Sequence, residues 1–252
     1  MNGASFPALA RALTCAAAIC IAATVASASP VASSSVVVPG TSNPWLAGMP
    51  AGTTLSGDNV PTHSPVLVGG LSLGLGGYLT FTSVAGGVSH TGGCPSSNCP
   101  TPDGSTFFDH SGGAANGISD IRAPINSLIG VFLDDAQPSL SAAPVALNFQ
   151  TLGLNVVALS PLLKQVFFIG DGSTVSAAIQ EFNIPSGATR LFLGTMDGFG
   201  WFNNNGSISA TVNQFAEVVD PPPTVPEPAT WFLLASGLAA MGIAGRRRRP
   251  VA

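Results

Sequence analysis

The sequence predicts an all-β protein, a β-sandwich flanked by an N-terminal signal peptide and a C-terminal transmembrane helix. Three observations carry that expectation. From Pro65 onward, short apolar runs recur between clusters of Gly, Pro, Asn and Asp, the spacing of strands and turns in an antiparallel sandwich. Outside the termini no segment of about ten residues or more keeps a helical apolar period. Two charge-poor hydrophobic segments bracket the chain, one at each end.

The first bracket is Met1–Ala28. Arg11 is its only charge, Ala12–Val25 is apolar, and Ala26-Ser27-Ala28 supplies an A-x-A cleavage site before Ser29. Cys15 and Cys20 fall inside this segment without a small-residue lipobox, so both are expected to leave with it. Residues 29–64 follow, rich in Ser, Pro, Gly and Ala, and read as a flexible, extended lead-in.

The domain proper is expected over 65–219. Strands are predicted at Tyr78–Ala85, Asn126–Leu133, Val145–Phe149, Asn155–Leu159, Gln165–Ile169, Thr189–Leu193 and Ser207–Val212. In the first of these Leu79 and Phe81 share one face, as a half-buried strand requires. Ser160–Gln165 has room for a single helical turn. Asp220 and the prolines 221–223 make a stiff spacer over 220–224.

The second bracket is 225–249, VPEPATWFLLASGLAAMGIAGRRRR. Ala229–Gly245 carries no charge and reaches roughly 25 Å as a helix, the short end for crossing a bilayer. Arg246–Arg249 hold the cytoplasmic side, which places everything before Pro226 outside the cytoplasm.

With the termini set aside, charge becomes informative. The whole chain is −4, but Ser29–Thr224 has only Arg122, Lys164 and Arg190 against eleven acidic residues, a net −8. Such a surface excludes a nucleic-acid partner, which needs clustered cations, and favours divalent cations held by oxygen donors. Cys94 and Cys99, in GGCPSSNCP, are expected to form a disulfide stapling a loop outside the cytoplasm; a metal site would need two further soft ligands.

Phe167–Val212 carries the candidate site. One strand ends in Gly170-Asp171-Gly172, and another, Arg190–Gly194, enters a loop with Asp197 that closes on Asn203-Asn204-Asn205-Gly206. Asp and Asn at the two ends of a Gly-rich loop turn their oxygens toward one point, as a hard cation requires; Asn and Gly are equally turn formers. Phe199, Trp201 and Phe202 beside it read either as core or as a platform for a sugar ring. No enzyme is expected. Asp109-His110-Ser111 are adjacent in the chain whereas triads converge from distant segments, and no G-x-S-x-G, P-loop or H-E-x-x-H occurs.

Two resemblances sharpen these readings. Pro226-Glu227-Pro228, the apolar Ala229–Gly245 and the quartet Arg246, Arg247, Arg248, Arg249 resemble the PEP-CTERM sorting signal of Gram-negative bacteria. That resemblance implies recognition by an exosortase at the inner membrane, a membrane-anchored precursor with its body in the periplasm, and later release to the cell surface or extracellular matrix.

The body, through IGDG, IPSGATRLFLG and an Asp followed by Asn-Asn-x-Gly-Ser, resembles the PA-IL-type lectins, the calcium-dependent galactose-binding proteins of bacteria. The resemblance implies a Ca2+ ion held by the side chains of Asp197, Asn203 and Asn204 and by backbone oxygens of His90 and Gly200. A sugar would complete the coordination, with Asp103 and Trp201 as sugar contacts. The loop between Asp197 and Asn203 is one residue shorter than the lectin pattern, and the histidine that selects galactose has no counterpart. The expected function is a calcium-dependent carbohydrate-binding domain for extracellular polysaccharide; the alternative is a structural matrix protein with the same sandwich and no sugar site.

Overall fold

The structure, a computed structural model, describes residues 28–55, 58, 63–94 and 99–217. The expected signal peptide (all but Ala28), the spacer, the sorting motif and the apolar span 229–245 lie outside the described residues. Among the described residues no helix is long and apolar enough to cross a membrane.

The fold is all-β. Its strands are β1 (Ala32–Pro39), β2 (Val66–Leu67), β3 (Tyr78–Ser89), β4 (Phe107–Asp109), β5 (Ile121–Pro124), β6 (Leu128–Leu133), β7 (Leu147–Asn148), β8 (Ala158–Leu159), β9 (Val166–Phe168), β10 (Glu181–Asn183), β11 (Arg190–Thr195) and β12 (Asn205–Phe215). They form a five-stranded sheet in the order β1-β12-β3-β10-β8, a four-stranded sheet β2-β11-β6-β9, and a small sheet β4-β5-β7.

Aromatic side chains join the two larger sheets. Phe182 of β10 meets Phe81 of β3 edge-on at 5.3 Å and packs on Phe167 of β9 at 5.4 Å; Phe167 in turn stacks on Phe132 of β6 at 5.2 Å. Leu79 and Phe81 are both buried, as the period-two pattern requires. All of β6 is buried, which its unbroken apolar run LIGVFL reflects.

β3 and β12 pair along most of their length with one register shift: Ser209 faces Ala85, but Thr211 faces Thr82. One extra residue belongs to β3, where Ser83 adopts a left-handed φ of 51°. This is a β-bulge, which raises the local twist of β3 a few residues before His90.

Several expectations are corrected. The lead-in is not a flexible tether over its whole length. Ala32–Pro39 forms β1, in register with β12 from Ala32 opposite Gln214 to Pro39 opposite Ser207. A 3-10 turn follows at Pro44–Leu46, capped by Asn43, whose Oδ1 accepts the Trp45 N–H at 3.0 Å. Trp45 is fully buried and donates its indole N–H to the Ser119 carbonyl at 3.0 Å. Small polar residues dominate the composition there, yet Val38 and Trp45, both fully buried, with the partly buried Val36, carry enough apolar surface to hold the segment on the core.

The helical turn expected at Ser160–Gln165 does not form. The short helix α1 lies instead at Phe149–Leu152, where the Asn148 side chain caps its N-terminus by accepting the Thr151 N–H at 3.3 Å. Cys94 and Cys99 are joined as a disulfide with Cα atoms 5.1 Å apart. A side chain at Gly87 would collide with the Pro100 carbonyl and the Cys99 Cβ, so Cys99 and Pro100 seat directly on the β3 backbone.

Candidate functional site

β11 ends at Thr195, and the chain reaches β12 through Met196–Asn204. Long-range bonds fix this crossing. Met196 N–H donates to the Ser127 carbonyl at 2.8 Å, and Asn126 N–H returns a bond to the Met196 carbonyl at 2.7 Å. Ser111 N–H donates to the Gly198 carbonyl at 2.9 Å, and Gly200 N–H donates to Asp58 Oδ1 at 2.8 Å. Gly200 has a φ of 86°, a left-handed conformation that glycine alone adopts freely. Its carbonyl accepts the Asn203 N–H at 3.1 Å and closes the 3-10 turn Trp201–Asn203.

Asp197 begins this crossing, 3% exposed. Its Oδ1 accepts the Phe199 N–H at 3.2 Å, and its Oδ2 is buried with no hydrogen-bond partner. Burial pushes the carboxyl above its ordinary range; the Phe199 N–H and the nearby Asn204 amide, His90 and Gly198 N–H offset this only in part. Asn204, at the far end, donates its Nδ2 to the Gly40 carbonyl at 3.0 Å, and its Oδ1 is likewise buried without a partner.

His90 arrives from the end of β3. Its backbone N–H donates to Asn126 Oδ1 at 2.8 Å, and its ring Nδ1 lies 3.1 Å from the same oxygen. Asn126, buried with a φ of 71°, thus ties His90 to the Met196–Asp197 backbone. The structure therefore gathers Asp197, Asn204 and His90, with Gly200 and an exposed Asn203 on the turn between them.

Two sugar-contact expectations fare differently. Trp201 is corrected: it is fully buried, donates its indole N–H to the Thr195 carbonyl at 2.9 Å and packs on Trp45 at 5.4 Å, so it offers no face to a ligand. Its neighbours Phe199 and Phe202 are exposed instead, at 47% and 39%. Asp103 is half-buried at the turn after β9, where its Oδ1 accepts the Asp171 N–H at 2.8 Å. Burial, with the charge of Asp171 adding to it, raises its pKa. Among the described residues no bond links Asp103 to the Asp197 group.

His110 escapes sequence reasoning. It is 5% exposed, its Nδ1 lies 2.6 Å from the Gly113 carbonyl, and it sits between Trp45 and Trp201. Its neighbour Asp109 turns outward to an ion pair with Arg122, so the triplet Asp109-His110-Ser111 diverges. Among the described residues the other two Lys and Arg side chains are engaged by the fold: Lys164 with Ser141 and the Ala142 carbonyl, Arg190 with the carbonyls of Asp134 and Ala136.

The tail decides what the chain is carried by. Residues 224–249 match the PEP-CTERM protein-sorting motif. The chain carries an exosortase sorting signal. It is therefore an exported protein, anchored in a membrane before sorting and processed by an exosortase. No curated protein and no solved structure matches the chain, so the lectin resemblance rests on its quoted motifs alone.

Proposed function

We propose that the exported domain of this PEP-CTERM protein is a calcium-stabilised carbohydrate-binding module acting at the cell surface or in the extracellular matrix. One observation carries the reading: two acceptor oxygens, Asp197 Oδ2 and Asn204 Oδ1, are buried without a donor at the two ends of one loop. An unpaired buried polar atom costs about 1–3 kcal/mol, and a carboxylate costs more, so a partner that satisfies both is favoured. Neither oxygen has a proton to give at neutral pH while Asp197 is ionised. A cation meets both needs together.

The donor set fits calcium in kind. One carboxylate, amide oxygens and backbone carbonyls are hard donors, although among the described residues no group of three or more His, Cys, Asp or Glu forms. Asn203 and the carbonyls of His90 and Gly200 are the further ligands this reading assigns. Exposed Phe199 and Phe202 take over the platform role that buried Trp201 leaves, and a neutral or cationic polysaccharide suits a body of charge −8.

A second reading, a structural matrix protein without a sugar site, draws on the burial of Trp201 and the attachment of Asp103 to Asp171. Thermal unfolding of Ser29–Thr224 in calcium and then in excess chelator separates cation binding from none. Millimolar calcium over a micromolar site adds about 4 kcal/mol, and Asp197→Ala removes the gain. No shift in calcium sinks the metal site. A shift without retention on a glycan array keeps the ion and leaves the structural reading.

A further inference from the structure

β1 is an edge strand of unusual length for this fold. Among the described residues it pairs with β12 alone, in unbroken register over Ala32–Pro39. The other sheet edges are short: β2, β7 and β8 have two residues each, β4 and β9 three. Natural sheets shield their edges with short strands, lysines, prolines or bulges, because an open edge pairs with other chains. β1 has none of these along its length. ASSSVVVP carries no charge, its proline is the last residue, and the bulge of this sheet lies in β3, away from the edge.

The phase of β1 is also fixed. Gly40 N–H donates to the Gly206 carbonyl at 2.9 Å, so even-numbered residues exchange bonds with β12. By alternation the N–H and carbonyl groups of Ser33, Ser35 and Val37 point to the open side. Their side chains are exposed on the outer face, Val37 at 59%. Ser33 and Ser35 are held flat by cross-strand bonds to Asn213 and Thr211, at 2.7 and 3.3 Å, so the edge is pre-ordered.

Charge selects the occupant. β1, β12 and β3 contain no Asp, Glu, Lys, Arg or His, on a body of net charge −8. Two such bodies repel each other where their acidic residues face, and this side brings none to the contact. The strand is self-complementary as well: run antiparallel to itself about Ser35, it sets Ser33 of one copy against Val37 of the other and keeps both outer faces on one side. We propose that two copies of this chain join through β1 across a two-fold axis at Ser35, merging their five-stranded sheets into one continuous sheet. Such an isologous contact closes on itself and yields a dimer.

The test uses the full chain, solubilised with its sorting signal in mild detergent. In a hydrogen-bonded antiparallel pair the facing Cα atoms are about 5.5 Å apart, within reach of a disulfide. Ser35→Cys is therefore expected to form a covalent homodimer on mild oxidation, and exposed Ser186→Cys is not. Ser35→Pro removes an N–H that serves no internal bond and is expected to weaken self-association at least tenfold in sedimentation, with an unchanged circular dichroism spectrum. Should that variant misfold, Val37→Lys places a charge on the same edge and carries the same expectation. A wild-type chain that stays monomeric at high micromolar concentration overturns the proposal. So does a dimer that persists in both variants, or Ser35→Cys cross-linking to a different protein in place of itself.

Discussion

His110 lies face to face with Trp45, their ring centroids 3.9 Å apart and their planes 22° from parallel, while Trp201 meets the same imidazole at 5.7 Å. Burial between the two indoles holds the His110 pKa below its ordinary 6.5, although the Gly113 carbonyl and the charges of Asp120 and Asp58 pull the other way. The unfolded chain therefore takes up this proton at a higher pH than the folded one. Stability contributed by neutral His110 is whole above about pH 6.5 and is lost as the pH falls from there through the folded pKa. Denaturant titrations across that window are expected to show the loss in the wild type and a flatter profile in His110→Gln.

Asp197 has the opposite sign. Its folded pKa is raised, so the unfolded carboxyl ionises first, and stability falls as the pH rises from about 3.8 through the folded pKa. Above the folded pKa and without calcium the buried charge is then a standing cost. Asp197→Asn removes it while keeping the shape, and is expected to melt higher than the wild type in chelator, by about 1–3 kcal/mol. If the loop holds calcium, the order is expected to reverse in millimolar calcium. A wild type that outlasts Asp197→Asn in chelator would mean the carboxylate is satisfied by the fold alone.

The sheets were legible because β6 and β11 are apolar runs and β3 and β12 alternate polar with apolar residues, all bounded by turn formers. β1 was hidden by its three serines, whose composition reads as linker although their alternate positions pair with β12. β4, β5 and β10 are only three or four residues long, below the length at which a period can be read. At the site, Asp197 and Asn204 were visible as the polar ends of one glycine-rich loop. Asn126 was not, because its role depends on a left-handed backbone that brings it to His90 from a distant segment. Trp201 was misjudged as a contact for a related reason: the indole that fills its other side, Trp45, comes from a segment read as flexible.

The aromatic residues of the Asp197 loop are expected to separate cleanly by mutation. Trp201→Ala empties a fully buried volume and leaves the Thr195 carbonyl without its indole donor, a loss of about 3–5 kcal/mol in chemical denaturation. Phe199→Ala and Phe202→Ala alter exposed rings and are expected to change stability by less than about 1 kcal/mol. If they form the sugar platform, retention on immobilised polysaccharide falls while the calcium-dependent melting shift stays. Unchanged retention in the double variant assigns the two rings no part in binding.

The bulge at Ser83 positions the whole end of β3. Beyond it Ala85–Ser89 pair with Asn205–Ser209, and the next residue is His90. A left-handed φ disfavours a β-branched side chain, so Ser83→Val is expected to cost about 1–2 kcal/mol, whereas Ser83→Gly stays within about 1 kcal/mol of the wild type. Ser209→Val is the control, since that exposed residue lies beside the bulge in β12, whose own backbone takes no positive φ there, so that β-branching is welcome. Deleting Ser83 tests more. Ser83 and Val84 together stand opposite Ala210 alone, so the deletion sets Val84 against Ala210 in a regular ladder and keeps Val88 on the core side. The deletion is expected to fold with the pairing of Ala85–Ser89 kept, and, because the local twist of the bulge is gone, to weaken the calcium response that Ser83→Gly retains. A deletion variant with wild-type melting and an intact calcium response would show that the bulge does not deliver His90 to the site.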